Sequence, residues 1–235
     1  MAAISNNILF AVFVGFLPSL LWLWFWLKED KNPEPQAMLF LTFFAGMAAV
    51  IVALILEYLT AFIEHVLSIE KTVIGGILLL LSWSVIEESV KYFAAKKSAL
   101  DKECCDESID ILIYMITAAL GFSALENILF LFKTASLEGF LSGFLVGNMR
   151  FLGATLLHTA TSAIFGAAIA FSFFHKENRK RNVIGGLIIA SVLHFVFNFL
   201  IIKNSEAIMI KIFIPLWIII IFVIFIFEKV KRIKK

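Results

Sequence analysis

Seven runs of predominantly apolar residues, at 8–27, 37–59, 73–95, 109–132, 150–174, 183–202 and 207–227, constrain this chain more than any other feature. About 20 such residues in a helix cross the hydrocarbon core of a bilayer. Within lipid a backbone must satisfy its own hydrogen bonds, which leaves helices for runs of this length. Composition closes the alternatives: 61% of the 235 residues are hydrophobic, 16% are charged and 26 are Phe. A soluble domain of this size has too little interior for that much apolar surface. The expected fold is all-α: a polytopic transmembrane helical bundle of about seven spans, forming a single integral-membrane domain over 1–235. The first run follows no basic residue and precedes no small-residue cleavage site, so it reads as a retained helix.

Basic residues are enriched in cytoplasmic segments. With seven spans and the N-terminus outside, fourteen Lys and Arg fall on inner segments and five on outer ones. The C-terminus is therefore expected in the cytoplasm. The stretch 139–149 either extends the fifth helix or lies at the outer interface. A net charge of +2 is too small and scattered for a nucleic-acid partner. Cys104 and Cys105, adjacent in an acidic stretch, make neither a disulfide framework nor a zinc ribbon and read as a reduced loop feature.

Ionisable side chains at the centre of a span cost about 2.5–3.5 kcal/mol each on insertion scales and face a partner or a cavity. The third helix carries Ser84, Glu87, Glu88 and Lys91 at spacings of three and four, on one face. The fourth offers Ser123, Glu126 and Asn127; the fifth Thr155, His158, Thr159 and Ser162; the sixth Ser191, His194 and Asn198. The least costly arrangement turns these four stripes toward a common interior. Such a cluster fits buried pairs that hold helices together, for instance Glu88 with Lys91. It also fits a metal site or a general-base site that activates water. Buried Glu and His serve proton relays too, so a proton- or solute-coupled transporter is the alternative, although no inverted repeat is visible.

Several hydrolase signatures are missing. There is no His-Glu-x-x-His and no intramembrane Gly-x-Gly-Asp, and Gly121-Phe122-Ser123-Ala124 reads as a packing contact before a rhomboid-type elbow. What is present is Glu87-Glu88-Ser89-Val90-Lys91 (Glu-Glu-x-x-Lys), Phe122 to Glu126 (Phe-x-x-x-Glu), His158, and His194 to Asn198, in that order. An opening segment with Pro18, a Trp-rich run and Lys28 to Pro35 precedes them. Together these resemble the PrsW family of intramembrane metalloproteases, related to the CAAX prenyl endopeptidases and bacteriocin-processing enzymes. The resemblance covers nearly the whole chain, with Glu126 where the CAAX-type pattern has His. It implies a membrane-embedded endopeptidase that cleaves a membrane-anchored protein, with anti-sigma factors as the best-known substrates. A prokaryotic cytoplasmic membrane is the implied location.

Peptide hydrolysis needs an activated water, a stabiliser for the oxyanion and a proton donor for the leaving amine. The expected roles are Glu87 as activator of the water, with Glu88 as orienting carboxylate. Glu126, His158 and His194 are the expected ligands of a zinc ion, and Asn198, one turn from His194, is expected to donate to the oxyanion or to hold the His194 imidazole. A metal-free version, in which Glu87 with Glu126 makes a carboxylate basic enough to act as the base while His194 and Asn198 make the oxyanion hole, is physically coherent, with the metal the preferred reading. Glu57 and the Glu64-His65 pair read as solvated groups at the interface, and Trp22, Trp24 and Trp26 as an interfacial belt.

Overall fold

The computed structural model describes residues 2–69, 71–139, 141–145, 150, 153–203 and 209–233. Its long α-helices are α1 (Ala2–Leu27), α2 (Gln36–Val66), α3 (Val73–Ala95), α4 (Ser108–Glu138), α5 (Ala154–Ala170), α6 (Arg179–Lys203) and α7 (Met209–Val230). One helix answers each apolar run. Six are long and apolar enough to cross a bilayer, and α5, with 17 residues, is the short one.

The boundaries move where local chemistry outweighs hydropathy. Helix α2 runs on to Val66, so Glu64 and His65 lie on it rather than in a loop, and Glu64 is buried instead of solvated. Helix α3 begins where the Thr72 hydroxyl accepts the amide of Gly75, and a π-helical turn, Lys96–Leu100, prolongs it. Helix α4 opens with a reciprocal capping box between Glu107 and Asp110 and ends at Gly139, whose φ of +92° suits a residue without a Cβ. Residues 141–145 are helical; residues 140 and 146–149 of the 139–149 stretch lie outside the described residues.

Helix α4 is the hub. Almost every residue from Ser108 to Ala124 is buried, and α4 packs against α1, α2, α3, α5 and α7. Small residues permit the closest approach: Gly46 of α2 lies against the Ala118 backbone and Gly121 of α4 against the Phe43 backbone. A Cβ at either position would overlap a carbonyl, so these glycines set the α2–α4 spacing. Gly121 is thus a packing residue. Its neighbour Ser123 donates to the Thr155 hydroxyl (3.2 Å) rather than to a histidine.

One end of the bundle is tied by polar contacts. The Lys231 ammonium pairs with Glu29 (2.7 Å), Asn32 donates to Glu107 (2.5 Å), and the Ser108 hydroxyl donates to the Val230 carbonyl (3.0 Å). This gathers the α1–α2 loop, the α3–α4 loop and the chain after α7 at one end, as alternating crossings require. Trp26 is fully buried there and stacks on Phe227 at 4.9 Å, so it belongs to the core rather than to an aromatic belt. Trp24 keeps the exposed position, with the Lys28 ammonium over its ring. Both cysteines are free, and burial pushes the Cys105 thiol up to about 12, which keeps it protonated.

Candidate active site

The four polar stripes do meet. Helix α3 brings Glu87, Glu88 and Lys91, α4 brings Glu126, α5 brings His158 and α6 brings His194. Glu87 lies about four turns into α3 while His158 lies about one turn into α5. The short α5 starts near the level that α3 reaches only at its middle, so stagger between helices brings the two residues together.

Glu88 is the structural centre. It is fully buried, and its Oε1 accepts from the Lys91 ammonium (2.6 Å), from His194 Nδ1 (2.8 Å) and from the Thr161 hydroxyl (2.9 Å). These bonds span α3, α5 and α6. With Nδ1–H committed to Glu88, the His194 ring turns Nε2 toward Glu87, 3.7 Å from its Oε2. His158 is held from both sides: Nε2 donates to Glu126 (2.8 Å), and Nδ1 lies 3.1 Å from the Lys91 ammonium and 3.8 Å from Glu87 Oε2. The two imidazole rings stand nearly perpendicular, 5.2 Å apart.

Glu87 Oε2 and Glu88 Oε2 are both buried without a hydrogen-bond partner among the described residues, but it is the Glu87 oxygen that faces both histidines. One donor atom each from Glu87, His158 and His194 lies within 4.8 Å of the others. A carboxylate and two imidazoles are the donor types of a zinc site, and the Lys91 ammonium at His158 Nδ1 (3.1 Å) is the group that would give way to an ion there. The carboxylate placed between the imidazoles is Glu87, whereas the sequence pattern had pointed to Glu126 as the third donor.

Glu126 is the more open carboxylate, with its side chain 32% exposed, and it forms an ion pair with Arg150 (2.8 Å). The same arginine donates from Nε to Asn127 (2.5 Å), whose amide nitrogen donates to Thr155 (3.0 Å). Asn127 is thus a buried bridge between α4 and α5. Asn198 lies one turn after His194, half-buried, with no side-chain hydrogen bond among the described residues. Ser84 and Thr159 bond to carbonyls of their own helices and stay outside the cluster.

Two participants were not expected. Arg150 precedes α5 in a segment without periodicity, so no helical face flagged it. Thr161 was legible, three residues after His158 and therefore on its stripe. Glu57 is not a purely solvated residue either: it is half-buried on α2, within electrostatic reach of Glu126.

Comparison with known proteins gives the same reading. The family model described as "PrsW family intramembrane metalloprotease" matches residues 34–227. Protease PrsW of Bacillus subtilis (strain 168) is 28% identical over 197 residues, covering 82% of this chain and 83% of that protein. Protease PrsW of Geobacillus kaustophilus (strain HTA426) is 26% identical over 188 residues, covering 78% of this chain and 75% of that protein. No solved structure matches significantly.

Proposed function

Since the chain belongs to the PrsW family of intramembrane metalloproteases, and is on that footing a membrane-embedded peptidase of a bacterial cytoplasmic membrane, we propose that it hydrolyses its membrane-anchored protein substrate at the Glu87/His158/His194 cluster. The carrying observation is the unpartnered, buried Glu87 oxygen facing two imidazoles. A relay or transporter would need the same groups strung along a path; here they are packed around one point, and no relative named above is a transporter.

The donor set fits the metal that the family's description implies: two imidazoles and one carboxylate, the usual company of catalytic zinc. When bound, such an ion supplies Lewis acidity and makes water nucleophilic at neutral pH. In this proposal Glu87, His158 and His194 hold it. Glu88 fixes the tautomer and tilt of His194, as outer carboxylates do for metal-binding histidines. Glu126, bonded to the far nitrogen of His158 and open to substrate, accepts the proton of the attacking water and returns it to the leaving amine. Arg150, ion-paired with Glu126 at 2.8 Å, keeps it aimed. Asn198 donates its free amide to the developing oxyanion. A site buried among helices asks for an extended segment beside a membrane anchor, and the family resemblance makes a single-span anti-sigma factor the substrate we favour.

Metal content per chain, measured by plasma mass spectrometry on protein purified without chelators, tests the assignment. We expect about one zinc, lost in Glu87→Ala, His158→Ala and His194→Ala and retained in Glu126→Ala. Loss in Glu126→Ala with retention in Glu87→Ala would restore Glu126 as ligand and Glu87 as base. Wild type without metal would overturn the metal assignment and leave a carboxylate-activated water. Cleavage of a co-expressed single-span anti-sigma factor should vanish in both Glu87→Gln and Glu126→Gln at unchanged expression.

A further inference from the structure

A second group of carboxylates lies at the other end of the molecule, sixteen residues before Glu126 on α4, which is about 24 Å along the helix. Asp30 and Glu34 of the α1–α2 loop meet Asp110 in the first turn of α4, with one oxygen of each within 4.8 Å of the others. All three residues are more than nine-tenths buried. The hydrolytic site uses none of them.

Their hydrogen bonds leave a deficit. Glu34 accepts from the Tyr114 hydroxyl, and Asp110 Oδ2 accepts the amides of Asp106 (2.9 Å) and Glu107 (2.6 Å). Asp30 Oδ1 accepts the Asn32 amide (2.9 Å), but its Oδ2 is buried with no hydrogen-bond partner among the described residues. Among the described residues no Lys or Arg forms an ion pair with any of the three; nearby Lys231 is taken by Glu29 and Glu228. Asp106 and Glu107 add further negative charge. Burial pushes the carboxyls of Asp30 and Glu34 up from their usual range, in keeping with an uncompensated group. Asp30 also lines a cavity of about 420 Å³ that Asn32, Asp106, Glu107 and Lys231 share. That cavity gives a hydrated ion a way in and room for the waters it keeps.

We propose that Asp30, Glu34 and Asp110 bind a hard divalent cation of the Mg²⁺, Mn²⁺ or Ca²⁺ class, which clamps the α1–α2 loop to the start of α4. An all-oxygen set with water access suits these ions, whereas two imidazoles and a carboxylate suit zinc, so the two ends of the molecule select different metals. The competing occupant is one or two protons shared among the carboxyls.

The test is a Mn²⁺ titration of the full-length protein in detergent, followed by the paramagnetic resonance signal of free Mn²⁺. We expect one Mn²⁺ per chain at this site, competed by Mg²⁺ or Ca²⁺, unaffected by His194→Ala and weakened at least tenfold in Asp30→Asn and in Glu34→Gln. Equal uptake by these variants, or none by the wild type, would overturn the proposal in favour of shared protons. Should either variant fail to fold, the wild type alone decides: millimolar Mg²⁺ or Mn²⁺ should raise its thermal midpoint beyond a KCl control of equal ionic strength, and no such rise refutes the site.

Discussion

The Glu88–Lys91 pair shows how one residue serves both stability and chemistry. Both side chains are fully buried, and Glu88 also orients His194. Removing one member of a buried pair typically costs about 3–5 kcal/mol, because the remaining charge has lost its partner. Lys91→Met and Glu88→Gln should each destabilise the protein on that scale, and the double variant should cost clearly less than the sum, as read from thermal midpoints of the four-member cycle. Glu88→Gln should in addition lower cleavage or zinc affinity by about 10- to 100-fold even where the protein stays folded. Sequence made Glu87, Glu88, Glu126, His158 and His194 visible because costly groups recur at helical spacing on apolar runs. It pointed to Glu126 as the carboxylate beside the imidazoles, where the structure places Glu87. That choice depends on the axial stagger and rotation of α3 against α4, which spacing within one helix does not carry. Arg150 was hidden for a related reason: its segment has no period.

At the level of elements, hydropathy located all seven helices yet misjudged their ends by up to seven residues, as at α2. Apolar runs report what lipid tolerates, whereas ends are fixed by caps and turns such as Thr72 and the Glu107–Asp110 box. The α2–α4 crossing gives the sharpest prediction. Gly46→Val and Gly121→Val should lower the thermal midpoint and the yield of folded protein strongly, in the range of about 1–3 kcal/mol or more. Gly185→Ala on α6, where an added Cβ meets nothing within 4 Å, should be neutral or stabilising by up to about 1 kcal/mol. Equal behaviour at the three positions would mean that the crossing is not set by its glycines. Trp26 carries a similar lesson: an aromatic near a helix end reads as a belt residue until its stacking partner, about 200 positions away, is known.

For the whole molecule, the tied end formed by Glu29, Asn32, Glu107 and Lys231 is the one that the distribution of basic residues assigns to the cytoplasm. The Glu87/His158/His194 cluster lies toward the other end, which faces outward in that orientation. With both native cysteines replaced by Ser, Lys71→Cys should react with a membrane-impermeant maleimide on intact cells, and Lys102→Cys only after permeabilisation. The reverse pattern would invert the molecule and put its chemistry on the inner side. The burial of α4 on all sides bears finally on how the chain is made. This helix emerges from the ribosome before α5 and α7 exist, carrying Asn127, Glu126 and Thr117 into the bilayer while α5 and α7, two of the helices that will enclose it, are still untranslated. Its hydrophobicity lets it enter, but its final surroundings are completed only by later segments. Biogenesis should therefore pass through a stage in which the future centre of the protein is exposed to lipid or to an insertion chaperone, and a chain stopped after residue 138 should be cleared by quality control rather than accumulate.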